Sequence, residues 1–332
     1  MHVVNVVVTS PVGEEGLDRI ASVGSNVKVL DASAMLTLSG GVPEEPQDAS
    51  VKARLDAMLA DAEIIHGFIP GNIAARAPKL KWINAPSAGV DRFLVPDIVA
   101  GPVILTNSRG IHHVQMGEMA FEMILMLAKK APFFFRMKER REWHRVVPDI
   151  LRGKTLAVLG LGAIGTEVAR LGKAFGMRVV ALDVREARPH EDVDALFPPP
   201  ALKEILSQGD YVVVTLPLTG RTRDLIGGEE LLAMKGTAFL VNIARGGIVD
   251  ENALVAALAE ERIAGAAFDV FAKEPLPPES RLWDLPNVII SPHVAGMRED
   301  YAVLAMDLFC ENLRRYLDGR EMLNVVDKER GY

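Results

Sequence analysis

One segment constrains this chain more than any other. It reads TLAVLGLGAIGTEVARLGKAFG and spans residues 155–176. The unbroken apolar run Thr155–Leu159 predicts a buried strand, and Ala163–Phe175 predicts a helix. Between them stand Gly160, Gly162 and Gly165. Gly160 permits a tight turn. Gly162 has no Cβ, so a phosphate can approach the backbone at the helix N-terminus. Gly165 lets helix and strand pack closely. Asp183 follows at the end of a second strand, Arg178–Leu182, eighteen positions after Gly165. A carboxylate there accepts hydrogen bonds from ribose hydroxyls. A chance glycine-rich turn would explain the glycines alone. With the strand before, the helix after and the acid at this distance, the pattern points to dinucleotide binding.

Asp183 also repels a 2′-phosphate, which favours NAD over NADP. Arg185, two residues on, offers the opposite reading as a phosphate partner, or the plain one of a solvated loop charge.

The same alternation runs through most of the chain. In the first hundred residues Val3–Val8, Val27–Leu30, Ala62–His66, Lys81–Asn84 and Val103–Leu105 read as strands. Glu15–Ser22 and Val51–Ala60 read as helices between them. Strands separated by helices imply a parallel sheet covered on both faces. After Asn107 the texture changes. Gln115–Ala131 predicts a strong helix, followed by a charged one through Arg136–Arg145. The first is apolar over more than one face, which suggests burial between domains or subunits. A second alternation follows Lys154, with strands at Tyr211–Thr215, Thr237–Val241, Ile263–Phe268 and Val288–Ile290. Arg298–Leu317 closes the series as an amphipathic helix.

At about 150 residues per domain, 332 residues suggest two domains. The formal net charge of −7, with no Lys/Arg block, excludes nucleic-acid and polybasic membrane roles. Cys310 is the single cysteine, so neither an intrachain disulfide nor a multi-cysteine zinc site can form. The N-terminus lacks a signal-peptide pattern, and no apolar run approaches the ~20 residues of a membrane span. A cytoplasmic protein is expected.

A second constellation is spread over three strand ends: Val241-Asn-Ile-Ala-Arg245-Gly-Gly247, Ala267-Phe-Asp269 through Glu274-Pro275, and Ile290-Ser-Pro-His293-Val-Ala-Gly296. Ligands bind outside the carboxyl ends of the strands in such sheets. Arg245, Glu274 and His293 would converge there. Singly, each has a plain explanation as a surface ion pair, a loop charge or a core histidine. Together they are a cation, a carboxylate and a proton-transfer group, the set that reduction of a keto acid requires.

At these motifs the chain resembles the D-isomer-specific 2-hydroxyacid dehydrogenase family. GLGAIG, TLPLTGRTRDLIG, LVNIARGGIVDENAL, AAFDVFAKEPLP and LWDLPNVIISPHVAG occur in that order. The resemblance implies an α/β fold of two doubly wound parallel-sheet domains, Rossmann- and flavodoxin-like. The substrate domain would be discontinuous, 1–107 plus 299–332, with the cofactor domain 108–298 inserted. It implies an NAD-dependent enzyme interconverting a 2-keto acid and a D-2-hydroxy acid. Arg245 would bind the substrate carboxylate, His293 would be the general acid and base, and Glu274 would hydrogen-bond His293 and keep it protonated. The Ser87-Ala88-Gly89 loop would help hold the carboxylate. Gly160, Gly162, Ala163, Ile164, Gly165, Asp183, Thr215, Leu216, Pro217, Thr222, Ile243, Ala244 and Asp269 would line the cofactor, Asp269 at the nicotinamide carboxamide. No metal is implied. A homodimer built on about Gly117–Val147 is.

Some positions depart from the family pattern. Met297 and Arg298 follow His-x-Ala-Gly, where a small or hydroxyl residue is common, and Gly110–Glu118 lacks the usual small residues. Both bear on substrate choice. Glu274 argues against the formate dehydrogenase branch, where Gln is expected. The absence of a domain after the last helix argues against the longer phosphoglycerate dehydrogenases. A dinucleotide-sensing corepressor, or a dehydrogenase of a non-carbon acid such as phosphite, remains compatible with these residues. Trp283 is either a pocket wall or a packed loop residue. The adjacent His112 and His113 do not form a metal pair.

Overall fold

A computed structural model describes residues 2–39, 42–184 and 190–332. The chain divides into two units, Met1–Ile111 with Glu299–Tyr332, and His112–Arg298. In the first unit the strands are β1 (Val4–Val8), β2 (Val27–Asp31), a short hairpin of β3 (Thr37–Ser39) and β4 (Val42–Glu44), β5 (Ile64–His66), β6 (Trp82–Ala85) and β7 (Ile104–Asn107). The main sheet has the order β2-β1-β5-β6-β7, every pair parallel.

Side chains alternate across a strand, and here the alternation sorts two cores. Val4, Val6, Val8, Ile64 and Trp82 face one side, while Val7, Ile65 and Ile83 face the other. The first side is covered by the C-terminal helix Tyr301–Leu317 through Met306, Phe309, Cys310 and Leu313. Tyr316 Oη also donates to Glu63 Oε1 at 2.6 Å. The last helix of the chain thus completes the first sheet.

The second unit contains β8 (Thr155–Leu159), β9 (Arg178–Leu182), β10 (Ala195–Phe197), β11 (Tyr211–Val214), β12 (Phe239–Asn242), β13 (Gly265–Phe268) and β14 (Val288–Ile290). Their order is β10-β9-β8-β11-β12-β13-β14, again all parallel. The order in which strands are added reverses between β8 and β11, the point where such sheets open a crevice at the carboxyl ends of the strands. Ala157, Leu159, Val212 and Val214 pack on one face of this sheet, and Leu156, Val158, Tyr211 and Val213 on the other. Two doubly wound parallel α/β sheets are therefore present, as the sequence implies.

Most boundaries shift by one to three residues, and the elements between the two alternations differ more from expectation. The long helix spans His113–Ala128 and ends before Lys129. Its many apolar residues need no second domain or subunit to bury them. Met116, Ala120, Phe121, Met123, Ile124 and Leu127 sit in the second unit's own core. Gly117 lets the helix close on Glu167, where a Cβ would come within 2.6 Å of Glu167 Cγ. The next helix is Ala131–Arg140 rather than Arg136–Arg145. Pro132 fits its first turn, and left-handed Lys130 and Arg141 bound it. Beyond Arg141, residues 142–150 have no regular structure. Strand β10 was not anticipated, because three residues ahead of Pro198-Pro-Pro200 leave too short a pattern to read.

No helix among the described residues is long and apolar enough to cross a membrane.

His66 ends β5 and is buried. Its Nδ1 meets Asn84 Oδ1 at 2.9 Å, while Asn84 Nδ2 and Trp82 Nε1 both donate to Thr106 Oγ1. Burial pulls the imidazole down to about 4, against the hydrogen bond to Asn84. Above pH 6.5 the ring is neutral whether the chain is folded or unfolded. Below it the unfolded chain takes up a proton that the folded one refuses, so stability falls with pH. By pH 4 this amounts to about 3 kcal/mol. His66→Gln should therefore flatten the loss of unfolding free energy between pH 6.5 and 4, measured by urea titration. An unchanged slope would refute this assignment.

Candidate active site

The glycine segment lies at the carboxyl end of β8, beside the crevice. Gly160 has φ +103°, which a side chain would strain. At Gly165 a Cβ would fall 1.9 Å from Gly160 O, so helix and turn can close only on glycine. Gly162 is different. It is the N-cap of the helix Ala163–Ala174, and a Cβ there would meet nothing within 4 Å. The ground above this helix N-terminus is open, and Ala163 and Ile164 form its first turn. Such a terminus offers N–H groups and a positive dipole end to an anion. Asp183 Oδ2 accepts from Leu161 N at 2.7 Å and so braces the turn from the end of β9.

Opposite stands the loop after β11. Thr215 Oγ1 donates to Gly160 O at 2.7 Å, and Leu216 packs where a Gly160 Cβ would be. Thr222 Oγ1 donates to Pro217 O at 2.6 Å. The hydroxyls of Thr215 and Thr222 therefore shape the loop. Arg185 lies outside the described residues.

The three remaining loops follow β12, β13 and β14. Asn242, which the sequence reading passed over, organises the first. Its Oδ1 accepts from Ala244 N at 3.0 Å and its Nδ2 donates to Arg245 O at 2.9 Å. Ile243 and Ala244 are buried, and Arg245 is half-buried with Nη1 donating to Ala244 O. Gly246 then lies directly on the loop after β13, where a Cβ would fall 1.9 Å from Phe271 C and 2.3 Å from Ala272 N.

Asp269 gathers the third loop. Its residue is 1% exposed. Oδ1 accepts from Ser291 Oγ at 2.7 Å and Val294 N at 2.9 Å, and Oδ2 from Ala295 N at 2.9 Å. Expected at a carboxamide, this carboxylate has both oxygens engaged by its own chain. His293 sits inside the loop at φ +55°, with its N–H bonded to Asp269 O at 2.8 Å. A left-handed non-glycine residue is uncommon and is held by its surroundings.

His293 Nδ1 meets Glu274 Oε2 at 2.7 Å, and Glu274 Oε1 accepts from Phe271 N at 3.0 Å. Burial pushes the Glu274 carboxyl up. The hydrogen bonds from His293 and Phe271, with the charges of His293 and Arg245, outweigh it and hold the group below its ordinary value. Glu274 is therefore ionised at neutral pH, and Nδ1 is the nitrogen that carries the shared proton. Arg245, Glu274 and His293 thus lie in the loops that follow three adjacent strands, β12, β13 and β14.

His112 was another residue without an assigned place. It is buried ahead of the helix His113–Ala128. Burial, then the charges of His113, Arg245 and Arg298, hold its imidazole below the ordinary value. It sits as a neutral group near Arg245. Met297 O accepts from Gln115 Nε2, which ties the His293 loop to the same helix. Trp283 is half-exposed and donates from Nε1 to Pro277 O at 3.0 Å.

In the first unit, Ser87-Ala88-Gly89 follows β6. Ser87 Oγ donates to Gly89 O at 2.8 Å, Asn107 Nδ2 to Ala88 O at 2.7 Å, and Tyr301 Oη to Pro86 O at 2.8 Å.

The NAD binding domain of D-isomer specific 2-hydroxyacid dehydrogenases matches residues 121–295. A glyoxylate reductase of Aeropyrum pernix is 37% identical over 268 residues, covering 78% of this chain and 79% of that protein. A D-3-phosphoglycerate dehydrogenase of Methanocaldococcus jannaschii is 31% identical over 334 residues, 98% of this chain but 59% of that protein. The crystal structure of a D-isomer specific 2-hydroxyacid dehydrogenase from Xanthobacter autotrophicus Py2, in complex with NADPH and MES, superposes with a TM-score of 0.83 at 31% identity, covering 99% of this chain and 100% of that one. The chain belongs to the D-isomer specific 2-hydroxyacid dehydrogenase family. It is an oxidoreductase of that class, and its cofactor is a nicotinamide dinucleotide. The open helix terminus at Gly162 and the side-chain-free turn at Gly160 fit such a group.

The close approach at Gly246 makes a direct prediction. Gly246→Ala must push the Arg245 loop off the Phe271–Ala272 peptide, and overpacking of this kind costs about 1–3 kcal/mol. The urea midpoint should fall, and keto-acid turnover with it. A midpoint equal to the parent's would contradict the contact.

Proposed function

We propose that this enzyme interconverts a 2-keto acid and a D-2-hydroxy acid with NAD(H), and that His293 moves the proton. The observation that carries this reading is the 2.7 Å pair of His293 Nδ1 and Glu274 Oε2, held with Arg245 in the loops after β12, β13 and β14. With Nδ1 fixed by a carboxylate, Nε2 is the nitrogen left to exchange a proton with substrate. In reduction the imidazolium gives its Nε2 proton to the carbonyl oxygen. In oxidation the neutral ring takes it from the hydroxyl. Glu274 sets the tautomer and balances the charge the ring carries when protonated. Arg245 engages the substrate carboxylate through paired N–H donors. Gly160–Gly165, the loop 215–217 and Asp183 would hold the dinucleotide, which would supply hydride-transfer chemistry. Asp183 favours NAD, because its carboxylate repels a 2′-phosphate. Glyoxylate and hydroxypyruvate are the substrates to try first, given the similarity to a glyoxylate reductase.

His293→Ala should lower kcat for glyoxylate by about 10²–10⁴-fold and leave the Kd for NADH unchanged. Near-parental turnover would refute the assignment. The same assay, run on the parent with both cofactors, should give a higher kcat/KM with NADH. A preference for NADPH would overturn the role given to Asp183.

We also propose a homodimer. The segment 142–150 carries Trp143 and Val147, each 89% exposed, and the helix before it in the chain carries the exposed Phe134 and Phe135. Large apolar groups exposed this way mark an interface, and a second copy is the occupant that the family implies. Light scattering should find twice the 36.1 kDa chain mass, and Trp143→Arg with Val147→Arg should return it to one. A monomeric parent at micromolar concentration would end the proposal.

A further inference from the structure

Glu251 is the first residue of the helix Glu251–Ala259. The ground beneath it is fixed. Asp250 caps that helix by accepting from Asn252 N at 2.9 Å and Ala253 N at 3.2 Å, and its own N–H bonds Ile226 O at 3.0 Å. From there Glu251 Oε1 reaches twenty-one positions along the chain to accept from Ala272 N at 2.5 Å. The Phe271–Ala272 peptide that it grips is the one resting on Gly246. The neighbouring amide, Phe271 N–H, bonds Glu274 Oε1, and Glu274 Oε2 bonds His293. A continuous path therefore runs from the helix terminus, through two successive amides, to the imidazole.

We propose that Glu251 is a positioning residue for proton transfer, gripping the 271–274 segment so that Glu274 meets His293. This rests on the reading of His293 as the proton-transfer group. A plainer role is also open to an acid in the first turn of a helix, since its charge complements the helix dipole. The two roles make opposite demands. Positioning needs an acceptor at the right reach, whether charged or not. Dipole compensation needs a charge near the terminus, whatever its reach.

Two substitutions separate them. Glu251→Asp keeps the charge but withdraws the acceptor by one methylene. Glu251→Gln keeps the acceptor and loses the charge. A displacement of about 1 Å at a reacting group can cost 10²-fold, so Glu251→Asp should lower kcat for glyoxylate by about tenfold or more, with KM and the NADH Kd little changed. Its acid limb should also move to higher pH. Loosening the hold of Phe271 N–H and His293 lets the Glu274 carboxyl rise toward its ordinary value. Glu251→Gln should stay close to the parent in rate and pH profile. If the Asp variant folds poorly by urea titration, Glu251→Asn beside Glu251→Gln repeats the test, because the two are alike in charge and differ only in reach.

Parental kinetics in Glu251→Asp, or a Gln variant as impaired as the Asp one, overturns the proposal. His293→Ala is assayed beside them. If it turns over normally, the reading of His293 fails and this inference fails with it. An inactive His293→Ala beside a fully active Glu251→Asp overturns the inference alone.

Discussion

The group of loops that carries Arg245, Glu274 and His293 depends on a buried carboxylate. Asp269 lies at the end of β13 and accepts three hydrogen bonds from residues 291–295. A hydrogen bond to a charged group contributes about 1.5–3 kcal/mol, and a buried charge without partners is far more costly. The arrangement is therefore close to all-or-none. With the loop closed on Asp269 the carboxylate is satisfied. With the loop open it loses all three partners and must exchange them for water. This closure holds His293 in its left-handed conformation, which an isolated loop would relax out of.

The remaining contacts of the site are built outward from that closure. Asn242 bonds both Ala244 and Arg245 and so turns the first loop. Gly246 lets that loop touch the second. Glu274 joins the second to the third. The Asn242 bonds are local, whereas the contacts of Gly246 and Glu274 join residues some twenty positions apart. Rigidity at the site comes from loops bonded to one another, with the parallel sheet beneath as their common base.

Much of this was legible in the sequence, for identifiable reasons. The strand, three glycines and helix at 155–176 form a local pattern, and local patterns survive in a one-dimensional reading. So do the periodic apolar runs that became β8, β9 and β14. Arg245, Glu274 and His293 could be placed together because each follows an apolar run at a strand end. What was not legible is mostly non-local. Nothing in the spacing of Gly246 or Glu251 reveals that they touch the loop after β13. Asp269 has the composition of a ligand-binding acid, and only the three-dimensional structure shows its oxygens engaged by Ser291, Val294 and Ala295. The helix starting at Ala131 was misplaced because its charged half was more conspicuous than Pro132, which marks its first turn. The apolar helix His113–Ala128 was read as an interface, because a sequence cannot say how many layers of its own unit lie against it.

The return of the C-terminal helix to the first sheet has a consequence for synthesis. Val4, Val6, Val8, Ile64 and Trp82 are among the first core residues to leave the ribosome, but the side chains that cover them, Met306, Phe309 and Leu313, are among the last. The whole of 112–298 must be made in between. At about 5–20 residues per second this interval is roughly 10–40 s. For that time one face of the nascent sheet is covered only by the helix Gly13–Ala21 through Ile20 and is able to stick to other chains, while the inserted unit, contiguous in sequence, can close its own core as it emerges. The order of translation thus leaves the older half of the protein as the one in need of protection.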